Sequence, residues 1–401
     1  MNTLLHETPM PPRPEGFGAD CRHHWLLDPD VHFLNHGSFG AVPRPVLEVQ
    51  SRWRERIERH PVEMLDRRMP ELMEFSLECA RDFVQGAPSG NAFMVNATSA
   101  INAVVRSLAF NPGDTIATTS HVYNAVRKTL QWVARRDGAD YAEFSVPLPV
   151  RSSDDLLDRL LESMPDSTRL LVIDQVSSPT GLVFPIEAVL NALAPRGISV
   201  LIDGAHAPGM LDVNVRRYLD LGAVAWTGNF HKWCFAPKGC AVLEVHPDLS
   251  DRVQPAIISH HAEEPFFKRF QWQGTADFTP WLSVPEALGF AEEQFGWEVL
   301  RTANHAMVVW AHQFLVRAWE VDPVSPLDGS MLGSLATVEL PDRACRAFGS
   351  APELQAHLYQ EHRIEVPVMD WGKRWYIRVS AQAYNTVDDY RALAEAVLGI
   401  D

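Results

Sequence analysis

The chain has 401 residues, 46% of them apolar and 21% charged, which is the balance of an ordinary globular protein with room for two lobes around a large core. A net charge of −16 repels phosphate backbones and argues against nucleic acid as a partner, although small anions stay open because a site's own donors set its local field. Five scattered cysteines without a C-x-x-C pair support neither a zinc knuckle nor a disulfide framework and point to a reducing compartment.

The N-terminal stretch MNTLLHETPMPPRPEGFGAD lacks a basic start and a long apolar run, so it reads as a loosely held, proline-rich arm and not as a signal peptide. No apolar run reaches the roughly 18 residues of a membrane span, and the expected location is cytoplasmic. Helical patterns follow in PRPVLEVQSRWRERIERHP and PELMEFSLECARDFVQGAP, each opening near a proline, with Gly86 after the second. Short apolar runs AFMV, TIATT, RLLVID, SVLID and AVAWT then alternate with helix-like AINAVVRSLAF, AVRKTLQWVARR and SDDLLDRLLESM. That alternation predicts an α/β lobe with a mostly parallel sheet covered on both faces, running to about Gly274. WLSVPEALGFAEEQFG is helical, and the remainder reads as a smaller mixed lobe with strands LATVEL, RIEVPV and RWYIRVS and a terminal helix TVDDYRALAEAVLG. The expected boundaries are an arm over 1–42, which also contributes to the small lobe, a large domain over 43–280 and a small domain over 281–401. There is no fixed-period repeat.

Ligands of parallel α/β sheets gather at the carboxyl ends of the strands, and three features fall there. The first is VNATSAINAV, where Asn96, Thr98 and Ser99 stand between a strand and a helix. Hydroxyls and free amides in that position suit a phosphate or carboxylate; alone, the stretch is better read as an ordinary N-cap. The second is VLIDGAHAPG, in which Asp203 ends an apolar run. A carboxylate there caps the next helix, pairs with a buried cationic ring, or binds a metal with help from His206 and Asp174. Without a clustered motif the metal is disfavoured. The third is Lys232 in TGNFHKWCFAPKG, between an imidazole and an indole just after a buried strand. Either its stem packs while the ammonium snorkels outward, or its amine is held for chemistry. A desolvated lysine becomes a nucleophile that forms a Schiff base with an aldehyde. Pyridoxal phosphate wants such a lysine, a carboxylate for its ring nitrogen and a phosphate cup. The chain presents them in the order cup, carboxylate, lysine, and the combination is far more specific than any member.

On these residues the sequence resembles the fold type I pyridoxal-phosphate enzymes of aminotransferase class V, and in particular their isopenicillin N epimerase-like branch. The resemblance spans nearly the whole chain through FLNHGSFGAVPRPVLE, NATSAINAVVRSL, TTSHVYNAV, SSPTGLVFPI, DGAHAPG, TGNFHKW, APKG, QGTADFTPWL and IRVSAQAYNT. It implies a large lobe with a mainly parallel seven-stranded sheet sandwiched by helices, and a smaller α+β C-terminal lobe. It implies that Lys232 carries pyridoxal 5'-phosphate as a Schiff base and moves the Cα proton, that Asp203 pairs with the pyridinium nitrogen and that His206 sits near the ring oxygen. Thr98 with the amide of Ser99, Asn229 and His231 would hold the phosphate beside Asn96. Thr275 in QGT would reach the phosphate of a neighbouring subunit, which implies a homodimer with shared sites. The SHVYNA stretch would cover the ring face through His121 or Tyr123, and spacing does not choose between them. Arg378 would grip the α-carboxylate of an amino-acid substrate as a two-donor fork, and Asn35 in LNHGSFG would line the substrate entrance.

The cofactor alone does not fix the reaction. Branch resemblance favours an amino-acid epimerase or racemase, which needs a second acid/base opposite Lys232, again Tyr123 or His121. A C–S β-lyase of a cysteine conjugate and an aminotransferase are the alternatives. Desulfuration through a persulfide is disfavoured, because EHRIEVPVMDWGKRWYIR contains no cysteine and the nearest upstream is Cys345. A sensor module that binds the cofactor without catalysis would want a basic DNA-binding segment, which the short arm does not supply. Trp226, Trp233, Trp371, Cys234 and Cys240 read as packing.

Overall fold

Aliphatic and β-branched runs build the larger sheet. Its strands are Asn91–Met94 (β1), Thr115–Thr119 (β2), Asp140–Phe144 (β3), Thr168–Asp174 (β4), Ser199–Asp203 (β5), Ala223–Asn229 (β6) and Ala241–Val245 (β7). They lie in the order β1-β7-β6-β5-β4-β2-β3, and β7 alone runs against its neighbours. This is a computed structural model describing residues 10, 11 and 13–400; residues 1–9 and 12 of the expected loose arm lie outside the described residues.

Alternation along the central strands sorts side chains into two cores. Leu170, Val172 and Leu201 pack with Ile101, Val104 and Leu130 of the helices Ala97–Ser107 and Asn124–Asp137. Leu171, Ile173, Val200 and Ile202 point the other way, into a core shared with Met73 and Leu77 of helix Met69–Phe83. Both faces being covered, these strands read as nearly continuous apolar runs. Each aliphatic side chain so buried is worth about 1.5–3 kcal/mol relative to exposure. Two strands carry no such signal. β3 is an edge strand in which only Phe144 is fully buried, and β7 is interrupted by Glu244, which is buried all the same.

The second lobe is an antiparallel sheet of Leu335–Glu339 (β8), Val368–Trp371 (β9) and Arg374–Ser380 (β10), ordered β9-β10-β8. The expected strand RIEVPV divides at Pro367, which has no N–H to give a ladder. Ile364–Glu365 pairs in parallel with His32–Phe33 instead, and β9 begins at Val368. A 23-residue helix, Trp297–Trp319, joins the lobes: Trp297 and Leu300 belong to the large core, and Met307 to Trp319 to the small one. The change of core therefore falls inside this helix, since helix Val284–Phe295 still buries Val284, Ala287, Phe290 and Ala291 against the large lobe.

From Phe17 onward the N-terminal arm is packed, contrary to the loose arm expected. Phe17, Cys21 and Trp25 enter the large core, with the Phe17 ring edge-on to Phe295 at 5.1 Å. Leu34 enters the small core, so the arm crosses between lobes and brings Asn35–Gly40 over the carboxyl edge of the large sheet. Among the described residues no helix is long and apolar enough to cross a membrane.

Two glycines give opposite expectations. Gly209 has φ +79°, and a Cβ there would lie 2.5 Å from the Trp233 carbonyl, beneath the Lys232 turn. Gly209→Ala should cost about 1–3 kcal/mol from backbone strain alone and lower the urea midpoint. Gly289 sits inside helix Val284–Phe295 with nothing within 4 Å of a new Cβ. Gly289→Ala should raise the same midpoint, by about 0.5–1 kcal/mol.

Candidate active site

β6 ends at Asn229, and the chain turns directly into the single helical turn Phe230–Trp233 that carries Lys232. Two side chains pin this turn. Asn229 Oδ1 accepts from the Ala97 N–H at 2.9 Å, and His231 Nδ1 donates to the Cys240 carbonyl at 2.7 Å. Lys232 is buried, with Nζ 3.0 Å from His206 Nε2. Burial first, and the Arg378 guanidinium second, lower Lys232 to about 7, against the pull of Asp203 and Asp174. Burial and the same two cations push His206 well below the imidazole range, so its ring is neutral.

Asp203 ends β5 and is in register with Asp174 at the end of β4. Its Oδ1 accepts from the Ala205 N–H at 3.0 Å, and burial raises it to about 6 while Lys232 opposes the shift. Burial and then the charge of Asp203 raise Asp174 well above the carboxylate range. Arg378, on β10, is 5% exposed and is lowered to about 10 by burial. Its guanidinium donates to the Ser178 carbonyl and, at 3.3 Å, to Ser38 Oγ, with no carboxylate partner among the described residues.

These groups face one cavity of about 440 Å³. It is lined by Lys232, Asp203, His206, Asn229, His231 and Arg378, and also by Asn96, Thr98 and Tyr123. A larger cavity of about 650 Å³ beside Leu65 and Trp272 contains none of them and is mostly apolar.

Ser99, His121 and Asn35 do not line the cavity. Asn96 caps helix Ala97–Ser107 by accepting from the Ser99 N–H at 2.8 Å and the Ser99 hydroxyl at 3.0 Å. The Ser99 amide is therefore engaged, whereas the Thr98 N–H has no partner among the described residues. His121 is fully buried behind the cavity wall, with Nε2–H donating to the Val146 carbonyl at 2.7 Å and Nδ1 accepting from Thr180 at 2.8 Å. Burial lowers it to about 4, so it is a neutral ring with both nitrogens occupied. Of His121 and Tyr123, only Tyr123 borders the cavity. Thr275 is exposed on the loop after Gly274 and does not line the cavity. Asn35 is buried and bonded to Ser38 and Glu365, behind the wall and not at an entrance.

Residues 43–393 match the aminotransferase class-V family model, and the chain belongs to that family. It is 28% identical to the isopenicillin N epimerase of Streptomyces clavuligerus, covering 94% of this chain and 97% of that protein. The Amycolatopsis lactamdurans isopenicillin N epimerase is 30% identical, over 94% and 97% of the two chains. A probable chloroplastic L-cysteine desulfhydrase of Arabidopsis thaliana is also 30% identical, over 95% and 85%. Among solved structures, apo cysteine desulfurase from Thermococcus onnurineus NA1 superposes with a TM-score of 0.76 at 18% identity, covering 96% and 98% of the chains, and shares the fold. The protein is thus a pyridoxal-phosphate-dependent enzyme of fold type I.

The residues present fit that cofactor. Among the described residues, Asp174 Oδ2, His206 Nδ1 and Arg378 Nε are buried polar atoms without a partner, and all three belong to residues lining the cavity beside a buried amine. Unpaired buried polar atoms occur elsewhere in the chain as well, but the three that meet at this cavity suit a polar ligand. Sequence reasoning named Asp174 only as a metal helper. The signal for its present position was that RLLVID and SVLID both end in aspartate on adjacent strands.

One measurement tests the electrostatics directly. In apoprotein, capture of added pyridoxal 5'-phosphate by Lys232 should speed up through pH 7 and then level off, because the neutral amine is the nucleophile and Lys232 is lowered to about 7. Stopped-flow absorbance should give that inflection; one near 10.5, the unshifted value, would mean that burial does not act as described.

Proposed function

We propose that the enzyme removes the Cα proton of a free α-amino acid and returns a proton to the opposite face, as an epimerase or racemase. The observation that carries the reading is that Lys232 and Tyr123 border one cavity from different strand ends. Lys232 follows β6 and Tyr123 follows β2, with β5 and β4 between them, so they leave strands that lie three strand spacings, or about 14 Å, apart. Two proton carriers reaching inward from separated strands are what a two-sided exchange at Cα requires.

When bound, pyridoxal phosphate supplies an electron sink for the charge left at Cα. Lys232 Nζ takes the Cα proton, and its lowered affinity for protons lets it act as a base near neutrality. Asp203 would hold the proton of the ring nitrogen, and His206 would meet the ring oxygen. The Thr98 N–H, Asn96, Asn229 and His231 hold the phosphate; Ser99 and His121, both satisfied within the protein, are left out. Arg378, buried and without an acidic partner, takes the substrate α-carboxylate. Thr275 serves the phosphate of a second subunit. A homodimer suits the apolar rim, where Phe39 is 74%, Val95 49% and Tyr123 47% exposed.

A specific observation favours a second reading, β-elimination from a cysteine conjugate. No cysteine lines the cavity, and Cys234 and Cys240 are sealed in the large core, which leaves no thiol for a persulfide. Elimination needs only the base Lys232, and some relatives bear the name L-cysteine desulfhydrase.

Proton NMR of the holoenzyme in deuterated water, with L-amino acids and cysteine conjugates, separates the two. Deuterium at Cα with the D-form appearing and no keto acid is the expected result. Pyruvate with a released thiol and no added acceptor would replace it with a lyase. Lys232→Ala should slow Cα exchange by at least about 10²–10⁴-fold, the usual contribution of a positioned base.

A further inference from the structure

We infer that Asn35 and Ser38 are positioning residues that aim Arg378, through a chain of hydrogen bonds starting at Glu365. The inference rests on the reading that Arg378 takes the substrate carboxylate.

The chain has a forced direction. The Glu365 carboxylate accepts from Asn35 Nδ2 at 3.1 Å, and this fixes which way the Asn35 amide faces. Asn35 Oδ1 is then turned to Ser38, whose hydroxyl donates to it at 2.5 Å. A serine hydroxyl has a single proton, so with that proton spent only lone pairs of Ser38 Oγ are left for other partners. Arg378 Nη2 donates to Oγ at 3.3 Å. Each member thereby sets the polarity of the next. The Ser178 carbonyl takes Nη1, and the two acceptors hold the planar group from both ends while Nε keeps a free N–H.

The chain joins the arm to two neighbouring segments of the small lobe, the Ile364–Glu365 bridge strand and β10. Arg378 has no carboxylate to orient it, so a neutral hydroxyl of enforced polarity performs that task without competing for the charge. A carboxylate in the place of Ser38 would neutralise the guanidinium and weaken its hold on a ligand anion. Asn35 does not border the cavity, and its side chain reaches the cavity wall through Ser38 and Arg378.

The test is spectral titration of the holoenzyme with L-alanine and with L-alaninamide, following the cofactor absorbance for the dissociation constant of each. The wild-type protein should prefer the acid. Arg378→Ala should cut that preference by about 10–100-fold, the range for hydrogen bonds to a charged group. Asn35→Ala should cut it by about 3–10-fold through weaker binding of L-alanine alone, with L-alaninamide affinity and the resting absorbance maximum unchanged. Ser38→Ala should act likewise and serves if the first variant does not fold. If Arg378→Ala leaves the preference intact, the carboxylate reading fails and the chain falls with it. If Arg378→Ala abolishes the preference while Asn35→Ala and Ser38→Ala do not alter it, or weaken both ligands equally, the positioning role alone is overturned.

Discussion

Everything at the site follows from burying two cations in one cavity without a bonded acid for either. Lys232 and Arg378 are both within the wall, and each disfavours the charge of the other. An unpaired buried charge costs several kcal/mol, so the fold must offset that cost elsewhere. Asp203 and Asp174 supply opposite charge at the ends of β5 and β4, without a hydrogen bond to either cation. The result is a set of groups poised between charge states: the amine lowered to about 7, Asp203 raised to about 6 and Asp174 raised well above the carboxylate range by burial and by Asp203. The stability of the apoprotein carries the sign of this arrangement. Lys232 holds its proton less tightly folded than unfolded, so its penalty is complete below about 7 and is relieved as pH rises toward 10.5. Asp203 holds its proton more tightly when folded, so its penalty grows as pH rises from 3.8 through about 6. On the proposed reading, an anion on Arg378 and a neutralised Lys232 would relieve both cations.

The sequence revealed the parts of this design that depend on local pattern. Strands β4, β5 and β6 are apolar throughout because both sheet faces are covered, and an acidic residue closing such a run stands out. Lys232 stood out for the same reason, as a cation directly after a buried strand. The edge strand β3 and the strand β7 with its buried Glu244 were not legible, since neither carries an unbroken apolar run. His121 and Tyr123 lie two residues apart, and only the turn into helix Asn124–Asp137 decides that one is sealed inside and the other meets the cavity. Ser99 shows the limit most sharply. A free amide and a capped amide look alike in NATSA, and the orientation of the Asn96 side chain decides between them. Polarity of hydrogen bonds is a tertiary property, and no spacing encodes it.

The same limit applies to Asn35, expected at the entrance, whose stretch Asn35–Gly40 acts as a clamp. His36, a neutral ring lowered to about 3 by burial, donates Nε2–H to the Lys232 carbonyl at 3.1 Å and accepts from the Tyr384 hydroxyl at 2.8 Å. Gly40 has φ +70°, and a Cβ there would lie 2.4 Å from the His231 carbonyl, so the backbone itself rests on the Lys232 turn. Two residues after His36, Ser38 meets Arg378. A single short stretch thus touches both the Lys232 turn at the end of β6 and Arg378 on β10, which belong to different lobes. On the proposed reading, the distance from Lys232 to Arg378 decides which bond of a bound amino acid faces the amine. Had it been set by the lobe interface alone, any relative motion of the lobes would blur it. With His36 and Ser38 on one rigid turn, a shift of the small lobe must carry the turn with it or break a buried hydrogen bond at one end. Because a broken buried hydrogen bond leaves a polar group unsatisfied, at about 1–3 kcal/mol, the segment resists the small displacements that would misdirect proton removal.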